Sequence, residues 1–177
     1  MPVSHKDSIE CVYHARLADT PIGHLWIATC QQGLVSVQFN GSEEESVKRA
    51  QKLTGHEPTV DEAKLGPVFQ QLNDYFAGSL KKFSLPIYWE LLTAFQQKAL
   101  QHVYAIPFGE LTTYNRIAHA LGNPKSIRAV GRANATNPIP IIIPCHRVIG
   151  SDGKLRGFAG GLETKAFLLR HEGSWLL

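Results

Sequence analysis

Apolar and polar residues alternate with a period of two along LADTPIGHLWIATCQQGLVSVQF, where Leu25 and Ile27 are followed by Leu34, Val35, Val37 and Phe39. Gln32-Gly33 falls between the two runs, and alternation broken by a glycine-containing turn predicts a β-hairpin. The period then changes. In PVFQQLNDYFAG, residues Val68, Phe69, Leu72, Tyr75 and Phe76 recur at helical intervals and stop at Gly78, which predicts a helix closed by glycine. SLKKFSLPIYWEL reads as extended chain leading to a boundary near Leu91.

Beyond that boundary the helical period dominates. Thr93 followed by Gln96 forms a capping box, and Phe95, Ala99, Leu100, Val103 and Tyr104 share one face before Pro107 and Gly109 end the helix. In TTYNRIAHALG, Thr113 is placed to cap, Ile117, Ala118 and Leu121 form the apolar face, and Gly122 stops the helix. NPKSIRAVGRANATNP starts another helix with Pro124 in its first turn and ends it at Asn137-Pro138. Two short helices joined by a Gly-Asn turn read as a helix-turn-helix. GLETKAFLLRHEG closes the pattern as an amphipathic helix ending at Gly173. The expected architecture is an α/β N-terminal domain over residues 1–91 and a mostly α-helical C-terminal domain over residues 92–177, bearing the helix-turn-helix. No internal repeat or low-complexity segment interrupts it.

Charge sharpens this division. Residues 1–91 hold 8 Lys and Arg against 11 Asp and Glu, whereas residues 92–177 hold 10 against 4, so a net −3 gives way to +6. A basic half suggests a polyanionic partner. No apolar stretch approaches the roughly 20 residues that span a bilayer, and MPVSHKDSIECVYH lacks the apolar core of a signal peptide, which points to the cytoplasm. Cys11, Cys30 and Cys145 are odd in number and far apart, an unsuitable framework for disulfides. His5, Cys11, His14, His24 and Cys30 cluster near the N-terminus, but their irregular spacing argues against structural zinc, and no metal or cofactor is expected.

The candidate chemistry lies in IIIPCHRVIG. A lone cysteine in apolar company is commonly a core filler. Here, however, Pro144 sets a bend, so Cys145 is expected to emerge at the end of a buried extended run and to open a short helix. His146, Arg147 and the helix end would then lower its pKa from about 8.5. His146 is the candidate base and Glu172 the candidate orienter, a nucleophile-base-carboxylate arrangement. Glu172 lies in the last turn of a helix, where the macrodipole disfavours an anion. It is either that orienter or a solvated helix end.

IPCHRVIG, preceded by RAVGRANATNPIPI and followed by GFAGGLETKAFLLRHEG, resembles the O6-alkylguanine-DNA alkyltransferases, also called methylated-DNA-protein-cysteine methyltransferases. TPIGHLWIA and YFAGSLKKFSLPI resemble the weaker N-terminal patterns of that family. The resemblance implies repair by direct damage reversal: one alkyl group passes from guanine O6, and secondarily from thymine O4, to Cys145, which is consumed. It implies that His146 deprotonates Cys145 through a bridging water, that Glu172 orients His146, and that Asn137 stabilises the turn ahead of the active site. Arg128 would enter the base stack in place of an extruded nucleotide, with Tyr114 against the nucleotide's phosphate and base. Ala129, Gly131, Arg132 and Ala133 would lie in the minor groove of double-stranded DNA. The substrate pocket would comprise Tyr114, Pro140, Cys145, Val148, Phe158, Ala159 and Gly160. Extrusion is a physical need, because a thiolate cannot reach an alkyl group inside a stacked duplex. The implied protein acts as a monomer without a cofactor.

Three departures from the family pattern bear on specificity. Ile127 and Arg132 stand where relatives often carry small residues, and Phe158 stands where many carry tyrosine. Two other classes of function share parts of the motif. A binding module that flips alkylguanine without chemistry would lack the acceptor cysteine, whereas Cys145 is present. A cysteine hydrolase would use Cys145, His146 and Glu172 but gives the basic half and Arg128 no task.

Overall fold

The predicted hairpin forms, one residue out of step with its expected turn. A computed structural model describes residues 9–175; His5 lies outside them. Strands β1 (Val12–Thr20), β2 (Gly23–Cys30) and β3 (Gly33–Phe39) form an antiparallel meander with Ala15 opposite Ile27 and Ile27 opposite Val37. The β2–β3 turn is Gln31-Gln32, because Cys30 pairs with Gly33, which opens β3 at φ +136°. A Cβ on Gly33 would lie 2.7 Å from the Pro86 carbonyl, and this close approach lets the extended segment dock: Leu34 N donates to Pro86 O (2.8 Å) and Tyr88 N to Leu34 O (3.1 Å). Helix α1 (Glu43–Thr54) begins with a Ser42–Glu45 capping box. Strand β4 (Thr59–Val60) pairs in parallel with β1 and completes the sheet order β3-β2-β1-β4. Helix α2 (Glu62–Phe76) starts earlier than expected, capped by Asp61, and runs through Pro67. The cap and the buried face of Leu65, Val68, Leu72 and Tyr75 outweigh the single hydrogen bond that proline removes.

The chain divides after Leu91 into two units. In the second, α3 (Ala94–Tyr104) carries the expected capping box of Thr93 and Gln96. Its buried stripe is narrower than the sequence pattern: Ala99, Leu100 and Val103 are buried, whereas Phe95 is exposed. Helix α4 (Tyr114–Ala120) is capped by Thr113, and Gly122 ends it at φ +72°. A 3-10 turn with Pro124 at its start leads into α5 (Ile127–Ala135), which packs on α3 and α4 through Val130, Ala133 and Asn134. Strands β5 (Thr112–Thr113) and β6 (Val148–Ile149) pair in parallel, and α6 (Gly161–His171) closes the unit.

The isoleucine run is not the extended segment that the sequence suggests. Pro140 and Ile143 bridge, Ile143 N donates to Ile139 O (2.9 Å), and Ile141 turns the chain at φ +73°. A β-branched residue in the left-handed region costs roughly 1–2 kcal/mol, a cost that complete burial of its side chain offsets. The turn is held from within by Asn137, whose Nδ2 donates to Ile143 O (2.9 Å) and whose Oδ1 accepts from Ile139 N (3.0 Å). This turn delivers Cys145. Truncating Asn137 leaves the buried Ile139 N–H unpaired, at about 1–3 kcal/mol, and takes one of two hydrogen bonds from Ile143 O, which keeps Cys145 N (2.8 Å), at about 1 kcal/mol. Asn137→Ala is therefore expected to lower unfolding stability in urea by about 2–4 kcal/mol, and a loss under about 1 kcal/mol would show that the turn holds without it.

Candidate active site

Cys145, His146 and Arg147 form one turn of 3-10 helix between Pro144 and β6, and all three side chains are buried. The turn aims His146 and Arg147 at Glu172, which caps the C-terminus of α6. His146 Nε2 donates to Glu172 Oε1 (2.8 Å), Arg147 Nε to Oε2 (2.8 Å) and Arg147 Nη2 to Oε1 (3.0 Å). The amide of Gly109 adds a longer bond to Oε2 (3.3 Å). Arg147 also donates to the Ile106 carbonyl and lies over the Phe108 ring, 5.9 Å from its centroid. Burial alone would raise the Glu172 pKa, but the hydrogen bonds and charges of His146 and Arg147 outweigh it and hold the carboxyl well below the usual range. Glu172 is a buried, ionised, saturated acceptor and not a solvated helix end.

Because Glu172 only accepts, His146 carries its proton on Nε2. Its Nδ1 is buried and has no hydrogen-bond partner among the described residues. Burial lowers the ring's pKa more than Glu172 raises it, so His146 is a neutral imidazole with a lone pair on Nδ1. Its ring meets that of Phe158 edge to face at 6.3 Å.

The thiol contradicts the expectation from sequence. Burial pushes the Cys145 pKa up to about 11, and a hydrogen bond from Asn137 and the charge of Lys165 recover only part of that rise. The 3-10 turn is three residues long and supplies little dipole, while the Arg147 guanidinium is committed to Glu172. At rest Cys145 is therefore a neutral thiol.

A cleft of about 490 Å³ lies outside this buried group, lined by Tyr114, Ile127, Gly131, Ala135, Arg156, Gly157, Phe158 and Ala159. It unites Tyr114, Gly131, Phe158 and Ala159 from the sequence reading. Burial raises the pKa of the Tyr114 phenol, with the Cys145 thiolate a further cause. Other expected residues lie apart from the cleft wall. Pro140 is buried in the isoleucine turn, and Gly160 caps α6. The Val148 carbonyl accepts from Lys165, and the Cys145 carbonyl accepts from Val148 N. Arg128, Ala129 and Arg132 are exposed on α5, whereas Ala133 is buried.

Arg147, expected to act on the thiol, is instead the partner of Glu172, and Lys165 has no place in the sequence reading. Lys165, Leu168, Leu169 and Glu172 recur at helical spacing, so the period of α6 already placed a lysine on its buried face. The sequence reading also missed Arg156, which lines the cleft and pairs with Asp152 at 2.7 Å. The N-terminal histidines and cysteines go to separate neighbours: His14 stacks on Trp26, His24 bonds the Gly41 carbonyl, and Cys30 bonds Gln32. Among the described residues no three His, Cys, Asp or Glu side chains are grouped to hold a metal.

Comparison with known proteins agrees with the sequence resemblance. Residues 94–174 match the family model of the 6-O-methylguanine DNA methyltransferase DNA binding domain, and residues 13–88 that of its ribonuclease-like domain. The chain is 43% identical over 164 residues to a methylated-DNA-protein-cysteine methyltransferase of Methanosarcina acetivorans, covering 92% of this chain and 99% of that one. It is 44% identical over 158 residues to the constitutive methyltransferase of that name from Bacillus subtilis, covering 88% and 92%. Among solved structures, Mycobacterium tuberculosis O6-methylguanine methyltransferase superposes with a TM-score of 0.77 at 36% identity, over 94% of this chain and 95% of that one. The same organism's OGT in complex with DNA gives 0.76 at 36% identity, over 93% and 94%. Matched in both halves and at this identity over nearly its whole length, the chain belongs to the 6-O-methylguanine DNA methyltransferase family.

Proposed function

We propose that this protein repairs DNA by moving the alkyl group of O6-alkylguanine onto Cys145. The observation that carries this reading is the His146 ring, held at Nε2 by Glu172 (2.8 Å) and presenting a buried, unbonded Nδ1 next to the cysteine in the chain. A neutral thiol needs a base only at the moment of reaction, and His146 Nδ1 receives its proton through a bridging water. The thiolate then attacks the alkyl carbon in line. The sulfur-carbon bond forms as the carbon-O6 bond breaks, and the bonding electrons pass to the guanine, which leaves after protonation. The product is a thioether with no carbonyl for water to attack, so each molecule acts once. Glu172 stabilises the imidazolium formed in the first step.

The DNA-facing assignments rest on exposure and charge. Residues 92–177 constitute the DNA-binding and transfer domain, with α4 and α5 as its helix-turn-helix. On α5 the exposed Arg128, Ala129 and Arg132 and the partly exposed Gly131 suit a helix laid in the minor groove of a duplex. Arg128 is the residue that replaces the extruded nucleotide, and Tyr114, Phe158 and Ala159 receive the base in the cleft. The protein works as a monomer in the cytoplasm, where its three thiols stay reduced, and O4-alkylthymine is a secondary substrate.

Incubation with a duplex containing O6-methylguanine, followed by intact and peptide mass measurement, is expected to find one methyl per molecule, on Cys145, with none in Cys145→Ala. Product beyond one equivalent, or a methyl on Cys11, would refute the reading. Arg128→Ala is expected to slow repair of duplex by about 10- to 100-fold, the equivalent of a few kcal/mol of unstacking, while leaving reaction with free O6-alkylguanine base within about twofold. Equal losses in single-turnover rates on both substrates would remove Arg128 from the flipping step.

A further inference from the structure

The loop between β6 and α6 presents an oriented cation at the cleft. Asp152 accepts from Arg156 Nη2 (2.7 Å) and from the Lys154 amide (3.2 Å), and Gly150 N donates to Lys154 O (2.9 Å), so side chains and backbone close one turn. The guanidinium lies across Gly150, where an added Cβ would stand 2.9 Å from Arg156 Nε and 2.4 Å from Asp152 Oδ1. The Arg156 carbonyl is tied separately, accepting from Lys165 (3.3 Å). Among the described residues Asp152 is the guanidinium's only hydrogen-bond partner, which leaves its Nη1 edge open.

The cleft has two walls: Ile127, Gly131 and Ala135, four residues apart on one face of α5, and Arg156 to Ala159 on the loop. Arg156 is the one charged side chain among the lining residues. It stands at the rim, 53% exposed, and its charge opposes part of the rise in the Tyr114 pKa. Phe158 on the same wall reaches inward instead, to the His146 ring at 6.3 Å. A base that is to meet Cys145 passes Phe158, whereas the phosphates of its nucleotide stay with the strand at the mouth. The rim position therefore sets Arg156 against the backbone and not against the base. We propose that Arg156 binds a phosphate flanking the extruded nucleotide, with Asp152 directing its guanidinium at the cleft mouth.

This contact rests on the repair function proposed above, and it gives the two walls different tasks. Helix α5 engages the duplex, and Arg128 fills the gap in the stack, but neither task holds the nucleotide that has left it. That nucleotide has lost its pairing and stacking, and a charge-assisted contact to its phosphate offsets part of the loss. Arginine suits the position, because a planar guanidinium offers paired donors to phosphate oxygens while one edge stays on a carboxylate. The Asp152–Arg156 pair is itself exposed and weak, so a phosphate competes with Asp152 on even terms.

The test measures single-turnover methyl transfer for wild type and Arg156→Gln on duplexes in which the phosphate on either side of O6-methylguanine is native or replaced by an uncharged methylphosphonate. The side chain is exposed, so the substitution leaves the fold intact, which circular dichroism checks. Arg156→Gln is expected to slow transfer from the native duplex by about 5- to 10-fold. Neutralising the contacted phosphate should slow wild type by a similar factor but Arg156→Gln by less than about twofold, because the contact is already gone. Losses that multiply independently at both phosphates overturn the proposal, as does an Arg156→Gln rate within about twofold of wild type on the native duplex. Free O6-methylguanine has no phosphate, so an equal loss on the free base would make Arg156 part of the base pocket and overturn the proposal too. Binding of Cys145→Ser to the modified duplex gives a readout without chemistry: adding Arg156→Gln should lower the salt slope by about 1, and an unchanged slope overturns the contact. Wild-type protein that accepts no methyl from the duplex would refute the proposed function instead, while the salt slope would still report on Arg156.

Discussion

A carboxylate held away from water governs the catalytic half of this protein. Glu172 sits at the end of a helix that disfavours its charge and in an interior that disfavours it more, and it is kept ionised by hydrogen bonds from His146, Arg147 and Gly109. Those bonds join the end of α6, the Cys145–Arg147 turn and the loop after α3 at one point. They also settle the chemistry of His146, since an acceptor-only partner on Nε2 leaves Nδ1 as the basic atom. Removing one member of such a cluster leaves another charge buried without compensation, so structural and catalytic demands on Glu172 cannot be separated by stability alone.

Placing the acceptor thiol in the same interior has a second consequence. A cysteine with a permanently low pKa is reactive towards any electrophile or oxidant that reaches it. Burial instead raises the Cys145 pKa to about 11 and keeps the sulfur protonated until a base takes the proton. For a protein that acts once, unselective consumption of its nucleophile is the costly failure, and a thiol that is dormant at rest avoids it. The nearby Arg147 guanidinium does not change this, because it neutralises Glu172.

Much of this arrangement was legible in the chain. The capping boxes, the glycine stops at Gly122 and Gly173 and the alternation in β2 and β3 are local signals, and local signals survive folding. The motif around Cys145 named its own chemistry. What failed was whatever depends on side-chain partners that the hydrophobic period does not report. IPIIIP contains only apolar residues and prolines, so neither its turn nor the left-handed Ile141 could be told from a buried strand; Asn137 selects the turn through hydrogen bonds to Ile139 and Ile143. The thiol pKa cannot be read from the chain, because cations adjacent in sequence need not be adjacent in space: Arg147 faces Glu172. Lys165 was visible on the buried face of α6, but the carbonyls of Val148 and Arg156 that hold its ammonium are brought to it only by the fold.

The chemistry of this site turns on the protonation state of the resting nucleophile. Carbon-13 NMR of protein labelled at the cysteine Cβ positions, with the Cys145 signal assigned by comparison with Cys145→Ser, reads that state directly as pH is raised. A midpoint near 11, well above the value of about 8.5 for a solvated thiol, is the predicted result. A Cys145 signal that titrates at or below about 8.5 would contradict it, and would mean that the neighbouring charges, not the His146 relay, generate the thiolate.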